Sequence, residues 1–153
     1  MQFSFGFSWI GLIIFALPML PNLLFILLPP KAEQEPAKEG GKLLGILENA
    51  GRVAYIVLII FLVSKKEITL INPFTVAMLV FLLLYYFLWF QYFAGGRGRA
   101  LMGKSFLGIP VPMAVFPVLY FILAALWLRN LPALAAAILF GFAHVVNSYQ
   151  TLR

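Results

Sequence analysis

Glu48 and Arg52 stand four residues apart inside the otherwise apolar stretch that begins at Leu43. On a helix that spacing puts a carboxylate and a guanidinium on one face, within reach of each other. Ionisable groups in so apolar a setting fix helix packing as an ion pair, relay protons or ions, or hold a polar ligand. His144 is the single histidine, and in a helix Ala137, Gly141, His144 and Ser148 form one stripe, small residues giving way to a polar end. Such a stripe admits a second helix at close range. Asn22, Asn49, Tyr85, Trp89 and Asn147 join Glu48, Arg52 and His144 as the candidate lining of a polar pocket. With one His, no Cys and five acidic residues that are all Glu, the chain lacks the donor set of a zinc or thiolate site. Neither a metal nor a cofactor is expected.

One literal motif match fails on context. The run from Gly98 to Gly103-Lys104-Ser105 fits the pattern of a nucleotide-phosphate loop. A working loop of that kind joins a buried strand to a helix and draws on an acidic metal ligand, usually Asp. Here the preceding segment is a membrane-like apolar helix and the chain has no Asp. The stretch reads instead as a basic, Gly-rich connector whose Arg97, Arg99 and Lys104 suit anionic lipid headgroups.

The elements that must position these residues are membrane helices. Of the 153 residues 63% are hydrophobic and 10% charged, against roughly one quarter charged in a soluble domain. That excludes a water-soluble globule. The expected fold is all-α, a polytopic membrane helix bundle forming a single transmembrane domain over residues 1–153. Five segments approach the roughly 20 apolar residues that a span requires: 7–28, 43–63, 73–93, 110–128 and 132–149. Pro29-Pro30 ends the first, ahead of a cytoplasmic loop over 29–42, and Asn72-Pro73 starts the third with a cap and a helix-compatible proline. Residues 94–109 form the basic connector, and the tight link from Arg129 to Pro132 makes the last two helices antiparallel neighbours. Because 132–149 is short, the architectural alternative is four spans with the last helix lying in the interface. No internal repeat is visible, and the N-terminus lacks the charged region and cleavage site of a signal peptide.

A net charge of +6 would suggest nucleic acid for a soluble protein, but here the basic residues sit in loops between apolar segments. Positive-inside anchoring accounts for them, and no nucleic-acid partner is expected. One side takes Lys31, Lys38, Lys42, Arg97, Arg99, Lys104 and Arg153, the other Lys65, Lys66 and Arg129. Seven against three places the N-terminus outside and the C-terminus in the cytoplasm. Trp9 and Trp127 then fall in the outer aromatic belt, with Trp89, Tyr92 and Tyr149 towards the inner one. The polar residues of the spans gather in the inner half, with Glu48 and Arg52 at a depth of roughly 8 to 14 Å from Leu43 at about 1.5 Å per residue. The outer halves are almost purely apolar, so the pattern predicts a pocket or groove facing the cytoplasm. In the first helix Gly11, Phe15, Pro18 and Asn22 share a face, and Pro18 and Pro21 free carbonyls that a neighbouring donor must satisfy.

Several runs together resemble a group of small, uncharacterised bacterial multi-pass inner-membrane proteins. They are Leu17-Pro18-Met19-Leu20-Pro21-Asn22 with Pro29-Pro30, Leu47-Glu48 to Gly51-Arg52, Tyr85-Tyr86 to Trp89, Ile109-Pro110-Val111-Pro112-Met113 to Pro117, and a closing Gly141, His144, Asn147 pattern. The resemblance covers nearly the whole chain and implies a bacterial cytoplasmic membrane. It carries over no activity and no catalytic residue.

Three functions are open to such a chain. A small carrier or permease subunit would use the polar inner half as one end of a transport path, with a parallel homodimer as the remedy for so few helices. A non-catalytic accessory or lipid-binding protein would hold a lipid or a partner's helix in the same groove. An intramembrane enzyme would use Glu48 or His144 as acid or base, which needs a second group within hydrogen-bond reach. The partners to expect are membrane lipids, a small polar solute or an unidentified membrane protein.

Overall fold

The computed structural model describes residues 3–31, 40–65 and 67–153. Lys38 and Lys66 of the charge count, and residues 32–39 of the cytoplasmic loop, lie outside the described residues. The chain is an all-α helix bundle with helices α1 (Trp9–Leu27), α2 (Lys42–Phe61), α3 (Pro73–Ala94), α4 (Arg99–Gly103), α5 (Pro112–Trp127) and α6 (Leu131–Leu152). Two short strands, β1 (Phe3–Phe5) and β2 (Leu62–Ser64), pair antiparallel with Phe3 opposite Ser64 and Phe5 opposite Leu62.

Local chemistry sets most helix ends. The Ser8 hydroxyl accepts from the Gly11 N–H at the start of α1. Asn72 and Thr75 form a reciprocal capping box with Pro73 inside the first turn of α3. Asn130 caps α6 by accepting from the Ala133 N–H. The second helix stops at Phe61, two residues short of its expected end, because the chain turns extended there to pair with β1.

Four helices, α1, α2, α3 and α6, are long and apolar enough to cross a membrane. The expectation of a weak last span meets a different outcome: α6 runs on to Leu152 and has 22 residues. The short apolar helix is α5, with 16 residues, or about 24 Å against a hydrocarbon core of about 30 Å. The connector also departs from expectation, since it contains α4 and a tight turn bridging Phe106 and Ile109.

The helices alternate in direction. At one end of the bundle Ser8 N–H donates to the Ile60 carbonyl and Trp127 Nε1 to that of Thr69, while Asn130 Nδ2 reaches the Leu58 and Leu62 carbonyls. At the other, Lys31 N–H meets the Arg97 carbonyl, Gly40 lies against Asn147, and Gly103 against Leu152. The core divides between these ends. One cluster centres on Tyr55, Ile59, Phe121 and Phe140, and a second on Tyr85, Trp89, Tyr92 and Phe116.

One of the freed carbonyls of α1 finds a donor in another helix. Pro21 has no N–H for the Leu17 carbonyl, and the Tyr86 hydroxyl donates to it at 2.6 Å. Trp89 and Tyr92 are not a lipid-facing belt: both are buried in the bundle, 6% and 0% exposed. Trp9, by contrast, is 70% exposed at the start of α1.

Candidate functional site

The site begins with the close approach of α2 and α6. A Cβ at Gly51 would come within 2.8 Å of the Phe140 Cβ and 2.9 Å of its backbone nitrogen, so only glycine lets the two helices meet here. Gly141, in the stripe expected on α6, lies against the side chain of Val118 of α5. With α6 drawn this near, Glu48 on α2 faces His144 and Asn147.

Three donors converge on the Glu48 carboxylate. Its Oε1 pairs with the Arg52 guanidinium one turn along α2 and lies 2.9 Å from His144 Nδ1. Its Oε2 accepts from Asn147 Nδ2 at 3.0 Å. Glu48 is 8% exposed, and a carboxylate so deeply placed stays ionised only with partners of this kind. The pairing of Glu48 with Arg52 was legible from their spacing. The arrival of His144 and Asn147 was not, because no spacing within one helix reports which neighbour it meets.

Arg52 and His144 also line a cavity of about 410 Å³, within the range of roughly 300 to 1,000 Å³ typical of small-molecule sites. Phe15, Met19, Asn22 and Phe25 of α1 form one wall, and Tyr85 and Trp89 of α3 another. The remainder comes from α4, α5 and α6, including Met102, Met113, Phe121, Phe140 and Ser148. Asn22 is held in this wall by two bonds from its Nδ2, to the Pro18 carbonyl at 2.9 Å and the Tyr85 hydroxyl at 3.0 Å. The wall is therefore chiefly aromatic and thioether, with few polar groups. Methionine suits such a surface, being unbranched and polarisable enough to mould around apolar ligands of several shapes.

Of the eight residues expected in the pocket, Asn22, Arg52, Tyr85, Trp89 and His144 line the cavity. Glu48 and Asn147 stand behind Arg52 and His144 as their partners. Asn49 does not belong: it is exposed, because one residue of helix turns it about 100° away from Glu48. Sequence reasoning missed Met19, Met102 and Met113, since an apolar residue in an apolar helix carries no mark of facing a cavity. It also passed over Asn130, which is 1% exposed and ties the α5–α6 turn to the end of α2.

The basic connector is only partly assembled into a site. Lys104 borders a second, smaller cavity of about 260 Å³ with Gln91, Tyr92 and Ser105, and neither Arg97 nor Arg99 is in its wall. Among the described residues no three His, Cys, Asp or Glu side chains come together as a metal site would require. No family model, no curated protein and no solved structure matches this chain.

Proposed function

We propose that the protein is a non-catalytic, lipid-binding membrane protein that holds one amphipathic molecule within its bundle. The observation that carries this reading is the cavity of about 410 Å³ walled mainly by aromatic and methionine side chains. A small polar solute would find few partners there, because both oxygens of Glu48 are already engaged. An apolar chain or ring system would displace poorly held water from such a wall, which favours binding.

The setting in this reading is the bacterial cytoplasmic membrane, with the N-terminus outside. Lys31, Arg97, Lys104 and Arg153 gather at the end of the bundle that would face the cytoplasm, where they meet anionic headgroups. A carrier of a polar solute is the second reading, favoured by the ionisable cluster of Glu48, Arg52 and His144 at the cavity wall.

Native mass spectrometry of protein released gently from its membrane tests the proposal. The wild type is expected to retain one molecule of lipid-like mass, and Met113→Trp, which fills the cavity from its wall, is expected to lose it. Retention of a polar solute instead supports the carrier, while adducts that ignore Met113→Trp overturn the cavity as the site.

A further inference from the structure

Glu48 has three partners, and two of them, Arg52 and His144, also line the cavity. His144 and Asn147 reach it from α6 at 2.9 and 3.0 Å, and Arg52 from its own helix. The side chain of Arg52 remains 44% exposed where that of Glu48 is 11% exposed. A guanidinium carries five N–H donors in a rigid fork, and the hydrogen bond that Arg52 makes among the described residues is the one to Glu48. Most of the fork is therefore uncommitted at the wall of an apolar cavity.

One further donor lies at that wall. The Trp89 indole N–H belongs to a residue 94% buried (6% exposed), lies near the Tyr85 hydroxyl, and finds no hydrogen bond of good geometry among the described residues. The Asn22 amide N–H groups are spent on Pro18 and Tyr85, and the Glu48 oxygens on their three donors. The free part of the Arg52 guanidinium is therefore a charged donor at that wall without an acceptor among the described residues.

We propose that the bound molecule carries an anionic head, a carboxylate or a phosphate, received by the free part of the Arg52 guanidinium, with its apolar body among the aromatic and methionine side chains. His144 and Asn147 keep Glu48 satisfied while Arg52 turns to the ligand, which is why a carboxylate can share its arginine here without being stranded. This inference rests on the lipid-binding reading and adds the chemistry of the head.

The experiment holds the tail constant and varies the head. Binding of oleate, oleoyl lysophosphatidate, oleyl alcohol and oleylamine is measured by native mass spectrometry on the purified full chain, for the wild type, Arg52→Gln, Arg52→Lys and Met113→Trp. Oleate or the lysophosphatidate is expected to bind at least about tenfold tighter than the alcohol or the amine, the worth of one hydrogen bond to a charged group. Whichever of the two binds tighter identifies the head as carboxylate or phosphate. Arg52→Gln is expected to remove that advantage and Arg52→Lys to restore part of it. If all four heads bind alike to the wild type, or if Arg52→Gln weakens the alcohol as much as the acid, the proposal fails while lipid binding stands. If no probe binds, or Met113→Trp leaves every probe bound, the lipid-binding reading itself fails. The wild-type series needs no variant, so it decides the matter even where Arg52→Gln does not fold.

Discussion

At Glu48 three donors meet one carboxylate, so the loss of the carboxylate and the loss of a single donor are unequal events. Glu48→Leu leaves Arg52 without its counter-charge and Asn147 Nδ2 and His144 Nδ1 without an acceptor. Stranding a buried partner costs roughly 3–5 kcal/mol; here about 2 kcal/mol is expected, because the Arg52 side chain keeps 44% of its exposure. Glu48→Leu combined with Arg52→Leu should recover the part of that loss that comes from the stranded guanidinium, while Asn147 and His144 stay without their acceptor, measured by detergent-induced unfolding in mixed micelles. A double variant as unstable as the single one would show that the pair is not coupled. Spacing alone was enough to read this pair, since four residues are one turn. Asn49 shows the limit of such reading: it is as polar and as deep as Glu48 in the sequence, yet it points away from the bundle.

Between elements, the decisive contact is the α2–α6 crossing at Gly51. A side chain there must displace the Phe140 backbone, which no rotamer change can do. Gly51→Leu is expected to destabilise the protein by about 3 kcal/mol or more, and to loosen the hold of His144 and Asn147 on Glu48 along with it. Gly45 lies on the same helix with nothing within 4 Å of its Cβ position, so Gly45→Leu should not destabilise the protein, and its better helix propensity favours it by up to about 1 kcal/mol. Equal losses at the two glycines, read by thermal unfolding in detergent, would remove the crossing as the cause. The small-residue stripe of α6 was visible in the sequence. Its partners were not, since a stripe of Ala and Gly states that some helix comes close and leaves open which one. Helix ends behave likewise: Ser8 and Asn72 mark theirs by local capping chemistry, while Phe61 ends α2 because β1 is there to pair with the residues that follow.

For the molecule as a whole, the alternation of helix directions puts Phe5 and Arg153 at opposite ends of the bundle. The chain contains no cysteine, so Phe5→Cys and Arg153→Cys each introduce a single thiol. In intact cells a membrane-impermeant maleimide is expected to label the first and spare the second until the membrane is opened. Labelling of both from the same side would mean that α5, with its 16 residues, does not complete a crossing. The sequence by itself determined the class of element and which long segments are apolar enough to span a membrane, because hydropathy and span length are properties of single segments. Only the tertiary structure decided that α5 is the short helix, that Glu48 answers to α6 as well as to Arg52, and that three methionines face a common cavity. Those facts depend on which segments lie side by side, and side-by-side placement follows from the packing of whole faces, which no one segment encodes.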